Sequence, residues 1–197
     1  MVFLHGASFT SKTWADLGTL ELARKAGYHV VALDLPGHGK TRRLPYSDNN
    51  MRAELLRSAV NIAQPKINHT TVLLSPSMSG RYAIPFLDRY GTMLHGWVAV
   101  APVGVDEWGG PWEDTHKKVS LLAVYGASDK MLPDSTKLSK MFAKAVQEVL
   151  PGAGHACYLN QTVMFHSKLT AYLQRISFEK HTSRRRSLLA DLDSEEL

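Results

Sequence analysis

The stretch Thr71-Val72-Leu73-Leu74-Ser75-Pro76-Ser77-Met78-Ser79-Gly80 sets a β-prone apolar run against a cluster of small residues. Such a junction reads as a strand turning tightly into a helix, with the central Ser77 lifted above the sheet. Two later segments end in the same way. One is Leu121-Leu122-Ala123-Val124-Tyr125-Gly126-Ala127-Ser128-Asp129, and the other is Val146-Gln147-Glu148-Val149-Leu150-Pro151-Gly152-Ala153-Gly154-His155. Together they supply a serine, an acid and a histidine in the order Ser…Asp…His, which differs from the chymotrypsin and subtilisin orders.

Working outward, apolar runs predict six strands, near 2–4, 29–33, 71–74, 97–100, 121–125 and 146–150. Between them, helical spacing predicts one helix from a Ser11 or Thr13 cap through Leu22, and others near 51–63, 79–89, 135–145 and 160–178. Strands that are apolar throughout and alternate with helices belong to an α/β fold, a mostly parallel sheet with helices on both faces. Active groups in such sheets gather at the carboxyl ends of the strands, where all three segments end. The domain is expected to span 1–178. From 179 to 197 the apolar period stops, and Ser183-Arg184-Arg185-Arg186-Ser187 through Glu195-Glu196 reads as a disordered charged tail.

Ser77 is the candidate nucleophile; alternatively Ser75, Ser77 and Ser79 only cap the helix that follows. Asp129 is the candidate acid, with Asp134 as its rival or as a helix N-cap. His155 is the candidate base, because imidazole titrates near neutrality and can take and return the serine proton. An oxyanion needs backbone N–H donors, worth about 3–4 kcal/mol apiece in the transition state. Met78, after the nucleophile, and Ala7, after His5-Gly6 at the end of the first strand, are placed to supply them. His5 itself reads as support for that loop. Gly37-His38-Gly39 does not continue into G-x-G-x-x-G, since Arg42 stands where the last glycine belongs, so it reads as a turn. Cys157 reads as a packed small residue.

The 197 residues suit one sizeable core, and 44% hydrophobic with 21% charged residues is the composition of a globular protein. No apolar run approaches the ~18 residues of a membrane span, and no signal-like leader precedes the first strand. The net charge of +5 lies partly in the Arg184–Arg186 run, so no nucleic acid is expected as partner. The single cysteine can form no internal disulfide, and no thiol cluster suits a metal.

The chain resembles the α/β-hydrolase superfamily, and within it the group called alpha/beta hydrolase domain-containing protein 14, in its A and B forms. The likeness is carried by Leu4-His5-Gly6, Thr13-Trp14, Leu17-Gly18-Thr19-Leu20 and Ala32-Leu33-Asp34-Leu35-Pro36-Gly37. It continues in Ser75-Pro76-Ser77-Met78-Ser79-Gly80, Ile84-Pro85-Phe86-Leu87 and Gly154-His155-Ala156-Cys157-Tyr158-Leu159. The resemblance implies Ser77, Asp129 and His155 as catalytic residues and hydrolysis of small activated esters. For the B form it implies removal of acetyl groups from protein lysines, with coenzyme A taking the acyl group, and a transcription-related protein partner. It also implies strands ahead of the His-Gly strand, which here opens almost at Met1, so a sheet lacking those N-terminal strands is expected. The A form carries a membrane anchor in that region; otherwise a cytoplasmic location, extending to the nucleus, is expected.

The expectation is therefore a serine acyl hydrolase or acyltransferase that works through an acyl-enzyme on a small acyl substrate or an acylated protein. No required cofactor is expected, and coenzyme A is the candidate acceptor. The segment 103–118 is too short for a large lid domain, so an open site is expected, with Trp108 and Trp112 either lining its mouth or packed in the core. The alternative is an inactive hydrolase-fold module that binds proteins, since fold does not fix function.

Overall fold

The computed structural model describes residues 1–44, 48–63, 70–107, 116 and 118–195. Six strands form one parallel sheet: β1 (Val2–Phe3), β2 (Val31–Ala32), β3 (Val72–Pro76), β4 (Gly96–Val100), β5 (Ser120–Gly126) and β6 (Lys144–Leu150). Their order across the sheet is β2-β1-β3-β4-β5-β6. The chain therefore leaves β1 to one side for β2 and returns to its other side for β3. That reversal opens a crevice at the carboxyl ends of β1 and β3, where ligands bind in open α/β sheets.

Alternation along the strands divides the core in two. Leu73, Trp97 and Leu121 are in register and face one layer. There they meet α3 (Asn49–Ala63), α4 (Gly80–Tyr90) and α5 (Leu132–Met141). Leu74, Val98 and Leu122, one residue on, face the other layer. It holds α1 (Lys12–Asp16), α2 (Thr19–Lys25), α6 (Cys157–Asn160) and α7 (Thr162–Glu195). With both faces covered, the central strands are buried along their whole length, which is why they read as unbroken apolar runs.

Three expectations are corrected. The first predicted helix is two, α1 and α2, because Gly18 takes a left-handed φ of 74° between them. The helix predicted at 135–145 stops at Met141, where Phe142 turns to extended backbone and packs on Trp97 at 5.6 Å. Residues from Lys144 on then join the ladder beside β5, so sheet pairing overrides the helix propensity of Lys144 and Ala145. The tail expected to be disordered from 179 continues α7 to Glu195. No glycine or proline follows Gly154, and Arg, Leu and Ala dominate 184–190, so no residue there breaks a helix once it is running. Among the described residues no helix is long and apolar enough to cross a membrane.

Candidate active site

Ser77 stands at the end of β3 with φ of 48°, a left-handed backbone that a side-chain-bearing residue rarely holds. The chain passes through a 3-10 turn, Ser77–Ser79, into α4. The turn is locked by its neighbours. The Val103 N–H donates to the Ser77 carbonyl at 2.8 Å. A Cβ on Gly80 would lie 2.3 Å from the Val103 carbonyl oxygen, so only glycine lets the helix start so close to that loop. The flanking serines are buried and bonded elsewhere: Trp97 Nε1 donates to Ser75 Oγ at 2.7 Å, and Ser79 Oγ donates to the Pro76 carbonyl at 2.8 Å. Ser79 stands at the N-cap position of α4, but no serine hydroxyl of this turn makes a side-chain capping bond to the helix that follows.

Asp129 and His155 reach this point from two adjacent strands. After β5 the Ser128 N–H donates to the Ala153 carbonyl at 2.9 Å, which ties the acid loop to the histidine loop. Gly126 makes the approach possible, since a Cβ there would sit 2.2 Å from the Gly154 carbonyl oxygen and 2.3 Å from that of Ala153. Asn160 Oδ1 accepts the Gly154 N–H at 3.1 Å and steadies the turn from the other side. Gly126 and Asn160 are positioning residues that sequence reasoning missed. The only signal for the first was a glycine immediately past a strand.

The three side chains meet. His155 Nδ1 lies 2.9 Å from Asp129 Oδ2, and His155 Nε2 lies 2.8 Å from Ser77 Oγ. The carboxylate requires the proton on Nδ1, which leaves the Nε2 lone pair to accept the Ser77 hydroxyl. Asp129 is buried and its other oxygen accepts the Met131 N–H at 3.0 Å, whereas the imidazole is half exposed. Asp134 lies in the first turn of α5 and pairs with Lys137 at 3.6 Å, so it is not the partner of His155.

The loop after β1 borders the same crevice. A Cβ on Gly6 would lie 3.7 Å from that of Ser77. Buried His5 accepts the Leu35 N–H on Nε2 at 2.9 Å, so its Nδ1 carries the proton that meets the Gly6 carbonyl at 2.9 Å. Burial pushes the His5 pKa down, which keeps it the neutral strut that those bonds need. His38 Nε2 lies 3.1 Å from the Ala7 carbonyl and so steadies the peptide beyond. Among the described residues, neither the Ala7 nor the Met78 N–H donates to a protein acceptor. Cys157 is buried, and desolvation pushes its thiol up to about 12, so it is no thiolate at neutral pH. Among the described residues no group of three His, Cys, Asp or Glu side chains is placed to hold a metal ion. Trp108 and Trp112 lie outside the described residues.

The chain has relatives among known proteins and solved structures. The model of a family described as "Alpha/beta hydrolase family" matches residues 1–113. The chain is 40% identical over 184 residues to "Protein ABHD14A" of Danio rerio, a match that covers 89% of this chain and 64% of that protein. It is 36% identical over 180 residues to "Putative protein-lysine deacylase ABHD14B" of Homo sapiens, covering 88% of this chain and 82% of the relative. Among solved structures, a "predicted CIB-like hydrolase" from Thermoplasma acidophilum superposes with a TM-score of 0.77 at 27% identity, over 88% of this chain and 86% of that one. An esterase from Exiguobacterium antarcticum shares the fold, with a TM-score of 0.71 at 15% identity over 88% and 91% of the two chains. On this evidence the chain belongs to the alpha/beta hydrolase family.

Proposed function

We propose that the chain is a serine acyl hydrolase or acyltransferase in which Ser77, His155 and Asp129 form the catalytic triad. The observation that carries this reading is the unbroken path Ser77 Oγ–His155 Nε2 and His155 Nδ1–Asp129 Oδ2, at 2.8 and 2.9 Å. As the Ser77 oxygen bonds to the acyl carbon, its proton passes to His155 Nε2. Asp129 stabilises the imidazolium without taking the proton. The carbonyl oxygen gains negative charge and is met by the Ala7 and Met78 N–H groups, which among the described residues have no protein acceptor to give up. Collapse of the adduct breaks the bond to the leaving group, which departs with the proton from His155. The acyl-enzyme then transfers its acyl group to water or to a thiol such as coenzyme A, with the same histidine as base. The relative named as a protein-lysine deacylase makes acylated lysine the substrate to try first.

The test is acyl-enzyme formation. Purified protein mixed with 4-nitrophenyl acetate should release a burst of nitrophenolate and gain one acetyl group by mass spectrometry, located on Ser77. Ser77→Ala should lose the burst and at least about 1,000-fold in kcat. A folded wild-type protein with no burst and no acetylation would favour the protein-binding module instead.

A further inference from the structure

Tyr158 lies three residues after His155, in α6, and is only 3% exposed. Its ring is clamped by aromatic neighbours, with the Trp14 centroid 4.9 Å away and those of Phe9 and Phe165 at 6.1 and 6.2 Å. Trp14 is itself fixed, since its Nε1 donates to the Leu4 carbonyl at 2.6 Å, so the tyrosine ring packs as one unit with the end of β1. Yet among the described residues nothing donates to the Tyr158 hydroxyl or accepts from it. The buried hydroxyls of Tyr28 and Tyr172 are both bonded. That of Tyr125 is unpaired and sealed from solvent, whereas the Tyr158 oxygen is unpaired and not sealed. A buried polar group without a partner costs stability, and one beside a catalytic centre calls for an acceptor that arrives with the substrate.

Gly6 shows where that hydroxyl stands. The place a Cβ on Gly6 would take lies 3.7 Å from Tyr158 Oη and 3.7 Å from the Ser77 Cβ, and glycine puts no side chain between them. The peptide that follows Gly6 carries the Ala7 N–H, so this hydroxyl and that N–H are neighbours beside the nucleophile. Burial pushes the phenol pKa up, so at neutral pH the group is a donor and not a base.

We propose that Tyr158 is a further catalytic residue, whose hydroxyl is a third donor to the oxyanion formed on the acyl carbonyl, beside the Ala7 and Met78 N–H groups. The proposal rests on the hydrolase reading above. As Ser77 Oγ bonds to the acyl carbon, the carbonyl π pair moves onto oxygen, and the Tyr158 O–H bonds to that oxygen while its proton stays on the phenol. Packing holds the donor in place before the charge develops, so its contribution falls on the transition state and not on the bound ester. It acts twice, because an oxyanion forms in acylation and again in deacylation. A donor to the leaving group would act in acylation alone.

The test is Tyr158→Phe, which keeps the ring and removes only the hydroxyl. Rapid-mixing hydrolysis of 4-nitrophenyl acetate reads acylation from the burst rate, deacylation from the steady state, and ester binding from the saturation of the burst. Both rates should fall about 10- to 100-fold, with the ester's dissociation constant within about twofold of wild type. The melting temperature should hold or rise, since no bond within the fold is lost. A hydroxyl that serves only the fold would lower the melting temperature and leave both rates within about twofold, which overturns the proposal. A loss confined to acylation, or one seen only as weaker ester binding, also overturns it. A wild-type burst with both Tyr158→Phe rates unchanged removes this donor and leaves the hydrolase reading standing; no burst in wild type removes both.

Discussion

Ser77 carries a backbone strain of about 1–3 kcal/mol, since it holds φ of 48° with a side chain attached. Its place at a strand-to-helix turn was legible from the strand run before it and the small residues around it. The roles of its neighbours were not: Ser75 and Ser79 are held by partners 22 and 3 residues away, and one of those partners is long-range. Asp129 could be told from Asp134 only once the Ser128–Ala153 bond had set which acid faced the histidine loop. Gly126 is the residue on which that loop contact depends. Gly126→Ala would push on the Ala153 and Gly154 carbonyls and displace His155, so kcat should fall about 100-fold, read by steady-state ester hydrolysis with circular dichroism to verify the fold. Tyr125 makes the opposite case. Its buried hydroxyl has no hydrogen-bond partner among the described residues, and a buried unmet donor costs about 1–3 kcal/mol. Tyr125→Phe is therefore expected to raise the melting temperature by about 2–4 °C per kcal/mol recovered; a lower melting temperature would contradict this.

At the scale of elements, the buried strands could be read from sequence because both their faces are covered, while helix limits depended on single residues. Gly18 divided a continuous apolar period into α1 and α2. A Cβ there meets nothing within 4 Å, so Gly18→Ala tests backbone conformation alone. It should destabilise the fold by about 1–2 kcal/mol, measured by urea unfolding, with little change in turnover. β6 differs from the central strands because it lies at the sheet edge, where Lys144 and Glu148 pair with Glu179 and Lys168 of α7 at 3.1 and 2.9 Å. Its mixed pattern, and the helix formers at its start, explain why its first residues were read as helix. Among the described side chains the buried stripe of α7 runs to Ile176, and the residues beyond 179 keep helix formers without an apolar period, which is why the sequence does not announce the helix there.

At the scale of the whole molecule, three histidines among the described residues link folding to pH. Burial lowers the pKa of His5, of His95 and of His166. His5 accepts the Leu35 N–H and His95 accepts the Thr71 N–H at 3.1 Å, bonds that ring protonation removes. Each histidine binds a proton more readily unfolded than folded, so this stability is whole above the ordinary histidine value of about 6.5 and is lost as pH falls through it towards the folded values. Melting temperature should therefore drop on acidification from neutrality, and a His95→Gln variant should show a shallower drop. The fold also gathers the ends of β1 and β3 and the loops after β5 and β6 into one rim, where Ser77, Asp129 and His155 meet, and catalysis by this chain requires that Ser77 be activated there. Reaction with a fluorophosphonate probe, followed by peptide mapping, tests it most directly. A single adduct is expected on Ser77, greatly slowed in His155→Ala and abolished in Ser77→Ala; folded protein that takes no adduct, or takes it on another residue, rules out Ser77 as the nucleophile.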